Sequence, residues 1–312
     1  MEPQSKLFER MGVMKELIWL VLGALVFSVA SCEKKLPVDC PVFPYQKDHC
    51  PAVFTDSLGK KTIAYEYGGE PKPDDPYYKA GIYLCDFEQR EPRLLLRSWG
   101  LGISFSPDGN WIVFSDQRIW KIKLNGDSLT LLVDYADYET EVFYPTWSPD
   151  GRKIAFDIAG GPKGGIYLMG PDGSNQQRIL GFGARDPAWS PDCNRLYYSK
   201  WTSHVQEIFC YDFSTQKEQR LTYLSRDFYT SEPSVSPSGE KVVFTSQEQR
   251  KLPQVWIMGK NGENPKQITS QGGCNPVFVS EDEILYAKVT WGDGRLWLIG
   301  IDGQNDKPFF KK

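Results

Sequence analysis

The chain has 312 residues, of which 40% are hydrophobic and 24% charged, a normal composition for a globular protein with an apolar core. Aromatic residues reach 14% and occur with 22 prolines and 28 glycines, which favours β-structure with many turns. The net charge of −4 argues against a nucleic-acid-binding protein, whose binding surface would be basic.

The N-terminal segment has the pattern of a secretory leader. Lys15 precedes an apolar run from Leu17 to Val29, which is too short for a comfortable membrane span. The run ends in Val29-Ala30-Ser31-Cys32, which resembles the bacterial lipobox. Residues 1–13 are either an extended leader or lie before a true start at Met14.

The lipobox resemblance implies three expectations. Residues 1–31 would be a lipoprotein signal peptide, Cys32 would be lipidated, and residues 32–50 would be a lipidated linker. The mature protein would then be lipid-anchored in the bacterial cell envelope, with the outer membrane as the expected site.

A motif recurs through the rest of the chain. Segments of the Ser-Pro-Asp-Gly type occupy residues 103–109, 145–151, 187–193 and 233–239, with a degenerate copy at 276–282. Each is followed by alternating β-rich runs, and a further unit without the motif starts at Ala52. Four short strands per unit of about 40 to 45 residues are typical of propeller blades. We therefore predict an all-β fold over residues 51–312, a six-bladed β-propeller of four-stranded antiparallel blades.

The third unit resembles the repeat of a known family. Trp-Ser-Pro-Asp-Gly at 147–151, Lys-Ile-Ala-Phe at 153–156 and Asp-Gly-Ser at 172–174 resemble the WD-like repeat of the TolB-like propellers. The resemblance covers residues 52–310 and implies the propeller fold. Propeller domains of prolyl-oligopeptidase-type proteases and oligogalacturonate lyases share the repeat, so it specifies function poorly. TolB itself has a further α/β domain before its propeller, for which residues 33–50 are too few.

The repeated motif is better interpreted as a turn than as a catalytic site. Proline presets φ at the second turn position, aspartate accepts a local backbone hydrogen bond, and glycine adopts the positive φ that follows. Four related copies around a ring argue against one special Ser–Asp pair. In the third copy Cys193 replaces the glycine, which predicts a strained left-handed residue.

The cysteines allow competing disulfides in an oxidising envelope. Cys40 and Cys50 are close in sequence and could close a small loop. Cys50 and Cys274 each precede a phenylalanine by four residues, Phe54 and Phe278, so a bridge between the first and last blades competes with that pairing. The third alternative is that the cysteines pack as small hydrophobic residues.

The connections between strands predict which face binds a partner. Strand alternation places the short Ser-Pro-Asp-Gly turns on one face and the long, dissimilar loops on the other. Aromatic and arginine side chains in those loops suit recognition of protein or sugar, although each could instead pack its loop onto a blade. The candidate binding face comprises Trp201, Trp291, Tyr138, Tyr229, Arg226 and Arg250.

The sequence predicts no catalytic residues, no metal site and no cofactor. It contains no Gly-x-Ser-x-Gly nucleophile motif, and its two histidines, His49 and His204, are too few for a lyase-type metal site. We therefore expect a non-catalytic lipoprotein that binds an envelope protein or glycan and no nucleic acid. The alternative is an oligosaccharide-active lyase or hydrolase that uses the propeller channel, with His204 in the site.

Overall fold

The computed structural model describes residues 48–68, 80–98, 100–202, 205–224, 228–249, 251–289 and 295–310. All of them belong to one compact unit, Pro44–Lys312. The predicted leader, Cys32 and Cys40 lie outside the described residues. The first strand begins at Asp48, three residues before the predicted start of the propeller.

The strands fall into six consecutive groups of four, which we call blades 1 to 6. Blade 1 contains β1 (Asp48–Thr55), β2 (Lys61–Tyr67), β3 (Gly81–Asp86) and β4 (Pro92–Leu96). Blade 2 contains β5 (Leu101–Phe105), β6 (Trp111–Ser115), β7 (Ile119–Lys123) and β8 (Thr130–Val133). A short helix, α1 (Tyr135–Tyr138), follows blade 2. Blade 3 contains β9 (Val142–Trp147), β10 (Ile154–Ile158), β11 (Gly165–Met169) and β12 (Gln177–Leu180).

The second half of the ring repeats this plan. Blade 4 contains β13 (Ala184–Trp189), β14 (Arg195–Trp201), β15 (Gln206–Asp212) and β16 (Lys217–Arg220). Blade 5 contains β17 (Phe228–Val235), β18 (Lys241–Glu248), β19 (Gln254–Gly259) and β20 (Lys266–Gln267). Blade 6 contains β21 (Cys274–Phe278), β22 (Glu283–Lys288), β23 (Arg295–Gly300) and β24 (Lys307–Pro308).

Within each blade the four strands pair antiparallel in chain order, with the first strand innermost. The first strands of successive blades contact one another, and β21 contacts β1, which closes the ring. Blades 4 and 5 are also joined by one parallel pair, Gln206 with Tyr229. The predicted six-bladed β-propeller is therefore confirmed.

The core lies between the blades, which explains why the ring must close. Each large apolar cluster draws its residues from two neighbouring blades. At the closing seam Tyr65 and Tyr83 of blade 1 pack with Leu285 and Phe309 of blade 6. A single blade leaves both apolar faces exposed, so only its neighbours can bury them.

The Ser-Pro-Asp-Gly segments form the turns between the first and second strands, as predicted. In blade 3 the buried Ser148 Oγ donates to Asp150 Oδ1 (2.7 Å) and accepts from the Lys153 N–H (2.9 Å). Gly151 follows with φ 72°, and Cys193 adopts the same left-handed region with φ 60° in blade 4. The motif therefore closes a hairpin through local hydrogen bonds.

The two faces of the ring differ in their connections. The turn between the third and fourth strands of a blade lies beside the turn between its first and second strands. In blade 4 the Phe213 N–H donates a hydrogen bond to Asn194 O (3.0 Å) across these two turns. We call this side the turn face. The opposite side, the loop face, carries the second-to-third-strand loops and the connections between blades, and there the Trp201 N–H donates to Gly183 O (3.0 Å). Among the described residues no helix is long and apolar enough to cross a membrane.

Candidate functional site

A central channel runs between the innermost strands of all six blades. Its volume is about 540 Å³, within the range of ligand-binding cavities, and its lining includes Tyr144, Asp186 and Glu232. Because each first strand begins on the loop face, residues near the start of these strands surround the loop-face end of the channel.

Six structurally equivalent residues form a ring in this channel, one from each blade, and we call the ring the collar. All six have φ between 47° and 63°, in the left-handed region. The members of the collar are Cys50, Gly102, Tyr144, Asp186, Glu232 and Asn275. At each one the pairing of the first and second strands shifts register, which marks a β-bulge.

Proline follows five of the six collar residues, because a bulge releases the next backbone N–H from the strand ladder. The left-handed conformation costs a non-glycine residue on the order of 1 kcal/mol or more. Glycine occupies only one collar position, Gly102, so five blades retain a non-glycine residue in a strained conformation along the same channel. Such repeated strain is typical of functional sites and makes the collar the first candidate.

Contacts between neighbouring blades hold the collar in place. The Asp186 N–H of blade 4 donates to Asp157 Oδ1 of blade 3 (3.2 Å). The Asn275 N–H of blade 6 donates to Glu232 Oε2 of blade 5 (2.9 Å) and lies 3.2 Å from Thr245 Oγ1. In these two blades the backbone donor freed by the bulge is satisfied by a polar side chain of the preceding blade.

Burial perturbs the carboxyl groups around the collar. It raises the pKa of Glu66 to about 7, against a weaker opposing effect of the hydrogen bond from Gly100. It also raises the pKa of Asp157, although Arg185 Nε lies 3.2 Å from its Oδ2 and opposes the shift. Burial raises the pKa of Glu232 as well, with Thr245 donating to its carboxylate and opposing the shift. Protonation at this end of the channel is therefore sensitive to any incoming charge.

Three aromatic side chains lie on the loop face, and we call Phe182, Trp201 and Tyr229 the aromatic patch; the first two are exposed and Tyr229 is half-buried. Phe182 is 59% exposed and Trp201 39%. The Trp201 and Tyr229 rings are 5.6 Å apart, so two of the predicted binding residues meet in the structure. Gly183, next to Phe182, accepts the hydrogen bond from the Trp201 backbone. Large exposed aromatics of this kind are typical of interaction surfaces.

A chain of hydrogen bonds joins the patch to the collar. Gln206, which pairs with both Trp201 and Tyr229, donates from Nε2 to Ser199 Oγ (2.8 Å). Ser199 Oγ donates in turn to Asp186 Oδ2 (2.6 Å). Buried polar contacts therefore link Trp201 and Tyr229 of the patch to the collar residue Asp186.

The other predicted binding residues are placed differently. Tyr138 lies half-buried in α1, where its ring packs on Tyr167 and Phe156 of blade 3 and its hydroxyl donates to Gln176 Oε1 (2.5 Å). Its contacts are those of a residue that packs the connection onto its blade. Trp291, Arg226 and Arg250 lie outside the described residues, as does His204 of the alternative enzymatic function.

The structure corrects the alignment of two cysteines. Cys50 is a collar residue followed by Pro51, and its equivalent in blade 6 is Asn275, followed by Pro276. Cys274 lies one position earlier, because the bulge and its proline set the register. Both cysteines are buried, and Cys274 Sγ lies 3.8 Å from Ala287 O. The disulfides Cys50–Cys274 and Cys40–Cys50 stay predictions.

Sequence reasoning missed the collar itself. Its signal is a proline three residues before the motif serine, as in Pro145 before Ser148 and Pro187 before Ser190. The residue before that proline varies in type, which hides the repeat. In the described part of the chain, no group of three or more His, Cys, Asp or Glu side chains is arranged to hold a metal ion.

Comparison with known proteins agrees with this architecture. An uncharacterized protein of Agrobacterium fabrum is 31% identical over 248 residues, which cover 74% of this chain and 84% of that protein. The Tol-Pal system protein TolB of Francisella tularensis is 29% identical over 253 residues, 75% of this chain but only 58% of the relative. The chain thus spans a little over half the length of that TolB.

A solved structure and a family model complete the comparison. The crystal structure of TolB from Acinetobacter baumannii matches with a TM-score of 0.64 and 20% identity, over 78% of this chain and 61% of that one, a likeness of fold alone. The family model of the TolB beta propeller domain matches residues 133–312. Because this match covers more than half of a chain whose strand order independently shows a propeller, the chain belongs to the TolB β-propeller domain family.

Proposed function

We propose that this protein is a non-catalytic recognition module of the bacterial cell envelope that binds a protein partner on the loop face of its propeller. The observation that carries the proposal is the pair of the exposed Trp201 and the half-buried Tyr229, which hydrogen bonds link to the strained collar. Aromatic anchors next to a recess are the usual energetic centre of a protein interface. Relatives named as Tol-Pal system proteins favour a protein partner over a glycan.

The proposal includes a lipid anchor at Cys32, motivated by the lipobox-like sequence that precedes it. One acyl-modified cysteine would keep the propeller at a membrane surface, with the outer membrane as the proposed site. Labelling cells with a radioactive or clickable fatty acid should mark the wild-type protein and leave Cys32→Ala unmarked. Equal labelling of both proteins would refute the anchor without affecting the binding proposal.

Site-specific photo-crosslinking in native envelopes tests the binding surface. A photoreactive phenylalanine analogue at position 201 reports on the loop face, and the same analogue at Leu58 is the matched control. Leu58 is 91% exposed in the turn between β1 and β2, on the turn face. We expect a discrete protein adduct from position 201 and none from position 58. An adduct from position 58 alone would move the binding surface to the turn face.

A further inference from the structure

The collar has a one-sided distribution of charge. Asp186 of blade 4 and Glu232 of blade 5 both line the channel, and the charge of Asp186 contributes to raising the pKa of Glu232. Tyr144 and Asn275 line the same channel from the blades on either side, with a hydroxyl and an amide. The sector of the collar beside the aromatic patch therefore presents two neighbouring carboxyl groups between hydrogen-bonding side chains.

Among the described residues, the cation beside this sector is Arg185, and it is already paired. Arg185 Nε lies 3.2 Å from Asp157 Oδ2, and its guanidinium lies 5.5 Å from the centre of the Phe143 ring. Its single positive charge is set against three carboxyl groups, those of Asp157, Asp186 and Glu232. Counted over these four described groups, the charge is negative whenever more than one of the carboxyl groups is ionised, so a cation is the complementary ligand.

The patch and the acidic sector are within reach of one bound segment. Tyr229 precedes Glu232 by three residues on β17, roughly 10 Å at the rise of an extended strand. On the other side, Trp201 follows Ser199 by two residues, and Ser199 bonds Asp186 directly. Lysine and arginine can lay their apolar stems along aromatic walls while a charged end reaches a carboxylate.

We propose that the partner presents a cationic segment. Its apolar or aromatic side chains lie on the aromatic patch, and one lysine or arginine side chain enters the channel between Asp186 and Glu232. This inference rests on the proposed protein-binding function and adds the chemistry that the partner must carry. Two features support it independently: the aromatic patch, with Phe182 and Trp201 exposed, supplies the docking area, and the charge of the nearby channel sector selects the occupant.

Selection of peptides tests this chemistry and does not require the natural partner. Phage-displayed random dodecapeptides are selected on the intact propeller, and the best peptide is synthesised with its lysine or arginine and with norleucine in that place. Binding is measured on the wild type, on Asp186→Asn/Glu232→Gln, and on Trp201→Ala/Tyr229→Ala. The control variant is Glu240→Gln/Asp282→Asn, which also removes two negative charges, but from exposed positions on the turn face.

We expect selected peptides to be enriched in lysine or arginine together with aromatic residues. The norleucine peptide and the Asp186→Asn/Glu232→Gln variant should each weaken binding about tenfold or more, while the control variant changes it less than about twofold. Raising the NaCl concentration should also weaken binding of the lysine or arginine peptide to the wild type, and this measurement needs no variant. Circular dichroism melting of each variant verifies that the ring is intact.

The remaining outcomes separate the two proposals. Peptides that lose affinity on Trp201→Ala/Tyr229→Ala but bind regardless of lysine, salt and the carboxylates would keep the proposed function and overturn the cationic inference. Two results would overturn both the proposed function and the cationic inference. One is that the peptides are insensitive to both sets of substitutions; the other is that selection enriches no sequence while an envelope oligosaccharide binds.

Discussion

Two rings of left-handed residues run around this propeller, and they differ in chemistry. The turn ring on the turn face consists of Gly59, Gly109, Gly151, Cys193 and Gly239, where glycine avoids the cost of positive φ in four of five places. The collar inside the channel has glycine once in six. The uniform ring is governed by local folding, whereas the varied ring retains strained non-glycine residues along one channel. The difference points to the collar as the place where this chain differs functionally from a generic propeller.

The largest effect should separate a collar glycine from a turn-face glycine outside the turn ring, because their steric surroundings differ. Gly102 in the collar and Gly126 in a turn both have positive φ, but a Cβ at Gly102 would lie 2.4 Å from Tyr144 Cα, while nothing lies within 4 Å at Gly126. We expect Gly102→Ala to lower the free energy of unfolding by about 3 kcal/mol or more and Gly126→Ala by about 1 kcal/mol. Urea unfolding measures both, and equal losses would show that the collar is not packed across blades.

A second comparison tests whether the motif serine supports its hairpin. Ser148→Ala removes the acceptor for the Lys153 N–H and the donor to Asp150, and should cost about 2 kcal/mol. The matched control is Ser246→Ala, because Ser246 Oγ is equally buried but has no hydrogen-bond partner among the described residues. Its loss should change stability by less than about 0.5 kcal/mol. A destabilisation of the same size in both variants would mean that burial alone, and not the hydrogen bonds, sets the cost.

A third experiment uses pH to examine the buried acid behind the collar. The pKa of Glu66 rises from its ordinary value near 4.5 to about 7 on folding. The folded protein therefore holds a proton that the unfolded chain has lost, and stability falls as pH rises across that interval. Glu66→Gln should be about 2 kcal/mol more stable than the wild type at pH 8 and similar at pH 4. Melting curves at both pH values, with the exposed Glu240→Gln as control, check this; no pH-dependent gain would contradict it.

The smallest expected effect compares two cysteines in the same backbone conformation. Cys193 in the turn ring and Cys50 in the collar have φ of 60° and 49°. Cys193→Gly should stabilise by about 1 kcal/mol, since it relieves strain on a partly exposed turn. Cys50→Gly relieves the same strain but empties a buried position, so we expect a net destabilisation of about 1 kcal/mol. Thermal melting under reducing conditions measures both, and stabilisation of both proteins would show that Cys50 contributes no packing.

The sequence predicted the turn ring and missed the collar for a physical reason. A Ser-Pro-Asp-Gly turn is closed by partners two to five residues apart, as Ser148 with Asp150 and Lys153 shows, so its pattern is complete within a short window. A collar residue is stabilised by a neighbouring blade about 30 to 43 residues away, as Asp157 with Asp186 and Glu232 with Asn275 show. The five prolines were visible, but the residue types before them had no common chemistry.

The candidate binding residues divide in the same way. Trp201 and Tyr229 are 28 positions apart in the sequence, and only the parallel pairing of Gln206 with Tyr229 brings their rings together. Tyr138 was predicted to bind a partner on the same ground, an aromatic residue in a loop, but its ring packs on Tyr167 and Phe156. Residue type alone could not distinguish an exposed aromatic side chain from one that packs its loop onto a blade.

By itself the sequence determined the number of blades, the turn that opens each one and the face on which those turns lie, because these follow from strand periodicity and local turn chemistry. Tertiary structure alone decided which residues line the channel, which aromatic side chains stay exposed and which carboxyl groups are desolvated by burial. Those properties arise only when the ring closes, since each blade supplies one residue to the collar and its neighbours supply the burial, the hydrogen bonds and the charges around it.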